Sequence, residues 1–328
     1  MLKMRWRPFL ISPKEMRNIV IIILSAVILA SCGQSYEEQR RLSAQERRRL
    51  AREDSAALKI AVMPTLDCLP LYVASDYGLF EALGADIRLK PYTAQMDCDT
   101  ALMNGRVEGA VTDIVRGQRM AAHGVKLDYV AATGTYWQLI SNRNARIKHL
   151  KQLDDKMMAM TRFSATDLLG DYVTDSVKLN DERVFRVQIN DVHVRLAMLM
   201  NNEMDALWLT EPQATAARTA RHRVVTDSRR LGMNLGAIAF RAGLKNDMAR
   251  ARQIDVFIKA YDMACDSINK YGAAHYRDII ARYCKVDAAV ADSIPADVRY
   301  RHAAPPREED LARAGKWLAE KKEVYGKK

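Results

Sequence analysis

The chain has 328 residues, with 51 lysines and arginines against 40 aspartates and glutamates, a formal charge of +11, and 49% hydrophobic residues. That apolar share excludes a disordered chain, and the length suits two lobes of ~100–150 residues, each with its own core. The basic excess is a weak argument for nucleic acid, because no basic stripe interleaved with aromatics occurs.

At the N-terminus, Lys14 and Arg17 precede an apolar run, Ile19 to Ile28, that ends in Leu29-Ala30-Ser31-Cys32. Charge, a short greasy run, small residues and a cysteine, in that order, read as a secretory signal with a lipobox-like cleavage site. The run is too short to cross a bilayer, which takes ~20 helical residues. Residues 1–31 are therefore expected to be a lipoprotein signal peptide, with Met16 a more usual start than Met1 or Met4. Cys32 then carries lipid, and the mature protein is anchored in the cell envelope, facing the periplasm or outside. The alternative is an uncleaved helix with a chance cysteine. Without the leader about 297 residues and a formal charge of about +7 remain, an excess that suits a protein beside anionic lipid.

Residues 32–57 mix Arg40, Arg41, Arg47, Arg48, Arg49 and Arg52 with Glu37, Glu38, Glu46, Glu53 and Asp54. Leu42 and Leu50 make no stripe to bury, so a solvated, partly helical tether is expected. From Leu58 the texture changes. Leu58 to Met63 is a short apolar strand closed by Pro64, and residues 70–83 carry apolar groups at helical spacing. Strands are expected at 86–90, 109–111 and 126–131, with helices at 98–104 and 114–122. The rhythm restarts after Ile140, with strands at 156–160, 184–189 and 205–209 and helices at 165–178, 192–201 and 212–220. Gly236 to Phe240 is a further strand before a long helical C-terminus. Short strands alternating with helices predict an α/β fold of two doubly wound, mainly parallel lobes joined by two crossovers. The expected division is 58–140 for the first part of lobe 1, 141–228 for lobe 2, and 229–328 for the return and C-terminal helices.

Four cysteines remain once Cys32 is lipidated: Cys68, Cys98, Cys265 and Cys284. An even number in an oxidising compartment invites an early and a late disulfide, with free buried thiols as the alternative. Cys68 and Cys98 are expected just past the ends of the first two strands, neighbours ~5 Å apart in such a sheet. Clustered Cys or His spacing for a metal is absent.

In open parallel sheets, ligands bind beyond the carboxyl ends of strands, near helix N-termini. The loops expected there carry Thr65, Asp67, Tyr92, Asp97, Asp113, Ser164, Thr166 and Glu211, and Tyr136 is added as an aromatic residue of the first lobe; these nine are the candidate ligand-binding residues. Ser164 and Thr166 cap a helix start, whose free N–H groups suit an anionic or polar head group equally well. The acids favour a ligand with amino-like donors, though caps and ion pairs also account for them. Tyr92 and Tyr136 could stack on a ring or pack in a core. No nucleophile elbow, P-loop or zinc-protease motif is present, so no catalytic residue, metal or cofactor is assigned.

Three stretches carry a family resemblance: Ala74 to Glu81, Leu102 to Ala110 with Gly105, and Leu199 to Pro212, which contains Asp205-Ala206 and Glu211-Pro212. Over residues 58–245 the chain resembles the periplasmic solute-binding proteins of ABC importers, in the nitrate, sulfonate, taurine and thiamine-precursor (NMT1/THI5-like) group. The resemblance implies a type II periplasmic-binding-protein fold that closes on a small molecule and presents it to permease and ATPase partners, without catalysis. The implied ligand is an aminopyrimidine-like thiamine precursor or an alkylsulfonate-like anion. Two other readings stay open: an enzyme on the same fold, or a ligand-sensing lipoprotein without transport. A lipobox and tether speak against the first of these.

Overall fold

The computed structural model describes residues 44–180 and 182–325. The expected signal peptide and the expected lipidation site, Cys32, lie outside the described residues. The described chain divides after Ala56 into two units. The first holds helix α1 (Ala44–Ala56). Its charged sequence gives it no apolar face, and Leu50 is 43% exposed, as a solvated helix requires.

The second unit holds two sheets. In chain order the first lobe runs β1 (Leu58–Val62), α2 (Leu69–Asp76), α3 (Leu79–Ala82), β2 (Ile87–Pro91), α4 (Gln95–Met103), β3 (Gly109–Asp113), α5 (Ile114–Ala122) and β4 (Leu127–Ala132). The second lobe runs β5 (Gln138–Ser141), β6 (Lys156–Met160), α6 (Ala165–Ser176), β7 (Val184–Gln188), α7 (Val192–Met200), β8 (Ala206–Leu209), α8 (Gln213–Thr219) and β9 (Arg223–Asp227). The chain then returns through β10 (Gly236–Arg241) to α9 (Met248–Tyr271), α10 (Arg277–Cys284), α11 (Ala288–Asp292) and α12 (Glu308–Tyr325).

The first sheet has the order β2-β1-β3-β10-β4 and the second β7-β6-β8-β5-β9. In each, three parallel strands are followed by one antiparallel strand in fourth place. The sheets are thus mixed, and the fourth strand is what the crossovers supply. β10 enters the first sheet after the chain has left the second lobe, and β5 opens the second sheet. The first crossover therefore falls ahead of Gln138, and not after Ile140 as the strand rhythm suggested. β5 and β9, both four or five residues long, carry too little pattern to be read from the sequence.

Burial explains the strand sequences. β3 is buried along its whole length and β1 nearly so, which is why apolar residues dominate β1 and open β3. β2 is an edge strand, half exposed, and tolerates Pro91 at its end. The helix expected over 70–83 breaks in two at Gly78, whose φ of 63° no side-chain-bearing residue would adopt as cheaply. One core lies in the first lobe, where α9 and α10 contribute Phe257, Tyr261, Cys265, Ile280 and Cys284. A second core joins Ile114 and Val115 of α5 to Leu139, Leu168 and Trp208 of the second lobe and to Ala314 of α12. Helix α12 spans the two lobes: Gln118 of α5 donates to the Leu311 carbonyl at 2.7 Å, while Lys321 reaches Asp171 of α6 at 2.7 Å.

The expected disulfides are corrected by the structure. Cys68, Cys98, Cys265 and Cys284 are all free and buried. Cys98 lies inside α4, not at a strand end, and packs in the same core as Cys68 without bonding to it. The Cys68 Sγ turns back to its own loop and accepts from the Met63 N–H at 3.3 Å. Cys265, in mid-helix, hydrogen-bonds to Tyr261, and burial pushes its thiol up to about 12. Burial pushes the other three up as well.

Candidate ligand-binding cleft

Between the lobes lies a polar cavity with an empty volume of about 640 Å³, its mouth included. It is built as open α/β sheets dictate, from the carboxyl ends of strands and the helix starts that follow. The first lobe contributes Thr65 and Asp67 after β1, Gln95 after β2, and Thr112 and Asp113 at the end of β3. The second contributes Thr161, Ser164 and Thr166 after β6, Asn190 and Arg195 after β7, and Trp208 and Gln213 around the end of β8. Thr135 and Trp137, on the first crossover, close the back.

The helix caps and the cavity walls are the same residues. Asp113 caps α5 by accepting from the Arg116 N–H at 2.9 Å. Ser164 caps α6 by accepting from the Thr166 N–H at 3.1 Å. The lobes are also hydrogen-bonded to each other around the cavity. Leu66 N–H donates to the Glu211 carbonyl at 2.8 Å, and Val192 N–H to the Thr93 carbonyl at 3.1 Å. The Gln213 side-chain amide donates to the Pro64 carbonyl at 2.7 Å. This is a closed clamp.

Charge inside the cavity is unevenly compensated. Arg195 is only 5% exposed, and its guanidinium donates to neutral acceptors: the Trp208 carbonyl at 3.0 Å, Thr161 Oγ1 at 2.7 Å and the Ile189 carbonyl. No carboxylate pairs with it among the described residues, and burial pushes its pKa down to about 10, with Arg116 adding to the shift. Burial raises Asp67, against the hydrogen bond from Thr65, and lifts Asp113 to about 6 against the opposing charge of Arg116. Three further buried polar atoms of lining residues, Thr112 Oγ1, Trp208 Nε1 and Gln213 Oε1, have no hydrogen-bond partner in the protein. Buried polar atoms are seldom left so, and several around one cavity mark a place where a polar guest fits.

Of the nine expected residues, Thr65, Asp67, Asp113, Ser164 and Thr166 meet at this cavity. The other four do not. Tyr92 packs against the first-lobe core, and Asp97 is exposed on α4. Tyr136 and Glu211 line a second, smaller cavity of about 330 Å³ that shares Asp67 and Thr135 with the first. Glu211 is already satisfied there: it accepts from Gln138 at 2.9 Å and from Thr215 Oγ1 at 2.6 Å, and pairs with Arg218 at 2.8 Å. Arg195, Trp208, Gln213, Gln95 and Asn190 went unread in the sequence. Position just past a strand end was the available signal for Gln95, Asn190 and Gln213.

The two mixed sheets with a cleft at their strand ends define a two-lobed protein of the periplasmic-binding-protein fold. The fold is shared with the aliphatic sulphonate binding protein SsuA of Escherichia coli, at a TM-score of 0.68 and 16% identity over 82% of this chain and 92% of that one. The alkanesulfonate-binding SsuA of Xanthomonas axonopodis pv. citri, bound to MOPS, gives 0.68 and 16% over the same shares. The nitrate-binding NrtA of Synechocystis PCC 6803 gives 0.65 and 12%, over 77% of this chain and 74% of that one. No curated protein matches the chain by sequence. The NMT1/THI5-like family profile matches residues 65–270, and the chain belongs to that family.

Proposed function

We propose that this protein is the solute-binding component of an ABC importer, held at the membrane by lipid on Cys32, and that it captures a small polar molecule between its lobes without transforming it. The carrying observation is the cavity whose walls come from both lobes, leave buried polar atoms without partners and hold one buried cation, Arg195, on neutral acceptors alone. Such a site gains its affinity from closure, and closure is a state that a permease can read. Arg195 of the second lobe suits an anionic group such as a sulfonate, while Asp67 and Asp113 of the first suit hydrogen-bond donors such as those of an aminopyrimidine. The structural relatives whose names specify sulfonates and nitrate support the import role, and the N-terminal signal pattern supports the anchor.

A thermal-shift panel of alkylsulfonates and aminopyrimidines tests the reading. At a hundredfold excess over Kd, a ligand stabilises the protein by about 2.7 kcal/mol, which moves the melting temperature by about 5 °C or more. Asn190→Trp fills the cavity and is expected to abolish the shift. No shift with any member at ligand concentrations of about 1 mM contradicts the assignment. Palmitate labelling that persists in Cys32→Ser contradicts the anchor.

A further inference from the structure

Outside the cleft, α4 and α5 of the first lobe enclose a separate pocket with an empty volume of about 530 Å³. Met96, Asp99, Thr100 and Met103 come from α4, Arg116, Arg119 and Met120 from α5, and His123 from the residue that ends α5. Arg116 is the anomaly. It is 0% exposed, its Nη2 pairs with Asp99, and its Nε and Nη1 have no hydrogen-bond partner. A small rotation could bring Nε onto the free oxygen of Asp99, but Nη1 would keep its hydrogens unmet. A buried guanidinium with open donors is costly unless something accepts from it.

We infer that this pocket is a second ligand site, for a small organic anion whose charged group sits on Arg116 and whose apolar part lies against the three methionines. The charge balance sets the class. Among the lining residues Arg116 and Arg119 outnumber the one carboxylate, Asp99, and the two cleft groups that also interact with Arg116, Asp113 and Arg195, are of opposite sign, so a metal cation is disfavoured and a single negative charge is matched. The methionine side chains supply a soft apolar wall that adapts to an alkyl group; Met96 and Met103 are each 36% exposed and Met120 is 2% exposed. Two walls also touch the other lobe: Gln188 donates to the Met96 sulfur at 3.4 Å, and Arg119 lies 4.9 Å from the Phe163 ring centroid.

Hexanoate, with hexanol as its neutral counterpart, is the probe, and the methyl resonances of 13C-methyl-methionine-labelled protein are the reporters. Hexanoate is expected to shift Met96, Met103 and Met120 with saturation below about 10 mM, and hexanol is not. Arg119→Gln weakens the binding at least threefold. Thr100→Trp, at an exposed lining position, blocks it without touching the buried Arg116–Asp99 pair. Equal shifts with hexanol overturn the anion assignment. Shifts confined to Met63, which lines the cleft, place hexanoate there and overturn the site. No shift at any methionine, or shifts unaltered by both substitutions, overturn it as well.

Discussion

Arg195 and Val194 stand side by side on α7 with their expected places exchanged: the arginine is 5% exposed and the valine 49%. Hydropathy alone puts the charge outside, which is why the sequence offered no reason to place Arg195 in the cleft. Its inward turn is fixed by tertiary acceptors, the Ile189 and Trp208 carbonyls and Thr161. Asp113 was legible for the opposite reason. It ends an apolar strand and starts a helix, two signals that agree. Its raised pKa makes a prediction. The folded chain holds this proton up to pH about 6, whereas the unfolded chain releases it near ~4. The folded state thus binds more protons across that window, and stability from this group is present below ~4 and lost as pH rises to ~6. Burial displaces Asp67 and Asp99 in the same direction. Asp113→Asn keeps the cap acceptor and is expected to gain roughly 1–3 kcal/mol relative to the parent between about pH 4 and about pH 7. Urea unfolding at both pH values measures it, and parallel profiles for the two proteins contradict it.

At the scale of elements, agreement between sequence and structure follows how much of an element's pattern is its own. The helix at 114–122 and the strand at 156–160 carry cap, period and boundary within themselves, and both fall where the sequence places them. The helix over 95–103 was expected to start at Cys98, three residues late, and the first disulfide was expected on the view that Cys98 lies just past a strand end. A thiol inside a helix is held by what the helix packs on, and all four thiols face cores. Native protein is therefore expected to leave Cys68, Cys98, Cys265 and Cys284 unmodified by a water-soluble thiol reagent and to expose all four on unfolding without reductant. An intact mass two hydrogens lighter before reduction, or fast labelling of the folded chain, contradicts this.

For the whole molecule, the restart of the strand–helix rhythm made two lobes visible and put β10 on the return to the first, whereas β5 was read with the first lobe and belongs to the second sheet. β5 and β10 pair antiparallel beside strands far away in the chain, and a pairing partner leaves no mark in local periodicity. Five of nine site residues converged because strand ends with polar residues are a local signal. Cleft membership of Arg195 and Trp208 depends on how the lobes meet.

Helix α12 rests on α5 through Gln118 and Ala314 and on α6 through Lys321, whose ammonium serves Asp167 and Asp171. Separating the lobes must slide or break one of these attachments, and the helix is expected to slow opening. Lys321→Met is expected to accelerate escape of a captured solute several-fold, with a smaller change in the rate of capture; stopped-flow exchange separates the two, and an unchanged escape rate contradicts the role. On the proposed solute-binding function, a helix fastened to both lobes sets how long a captured molecule stays before a partner receives it.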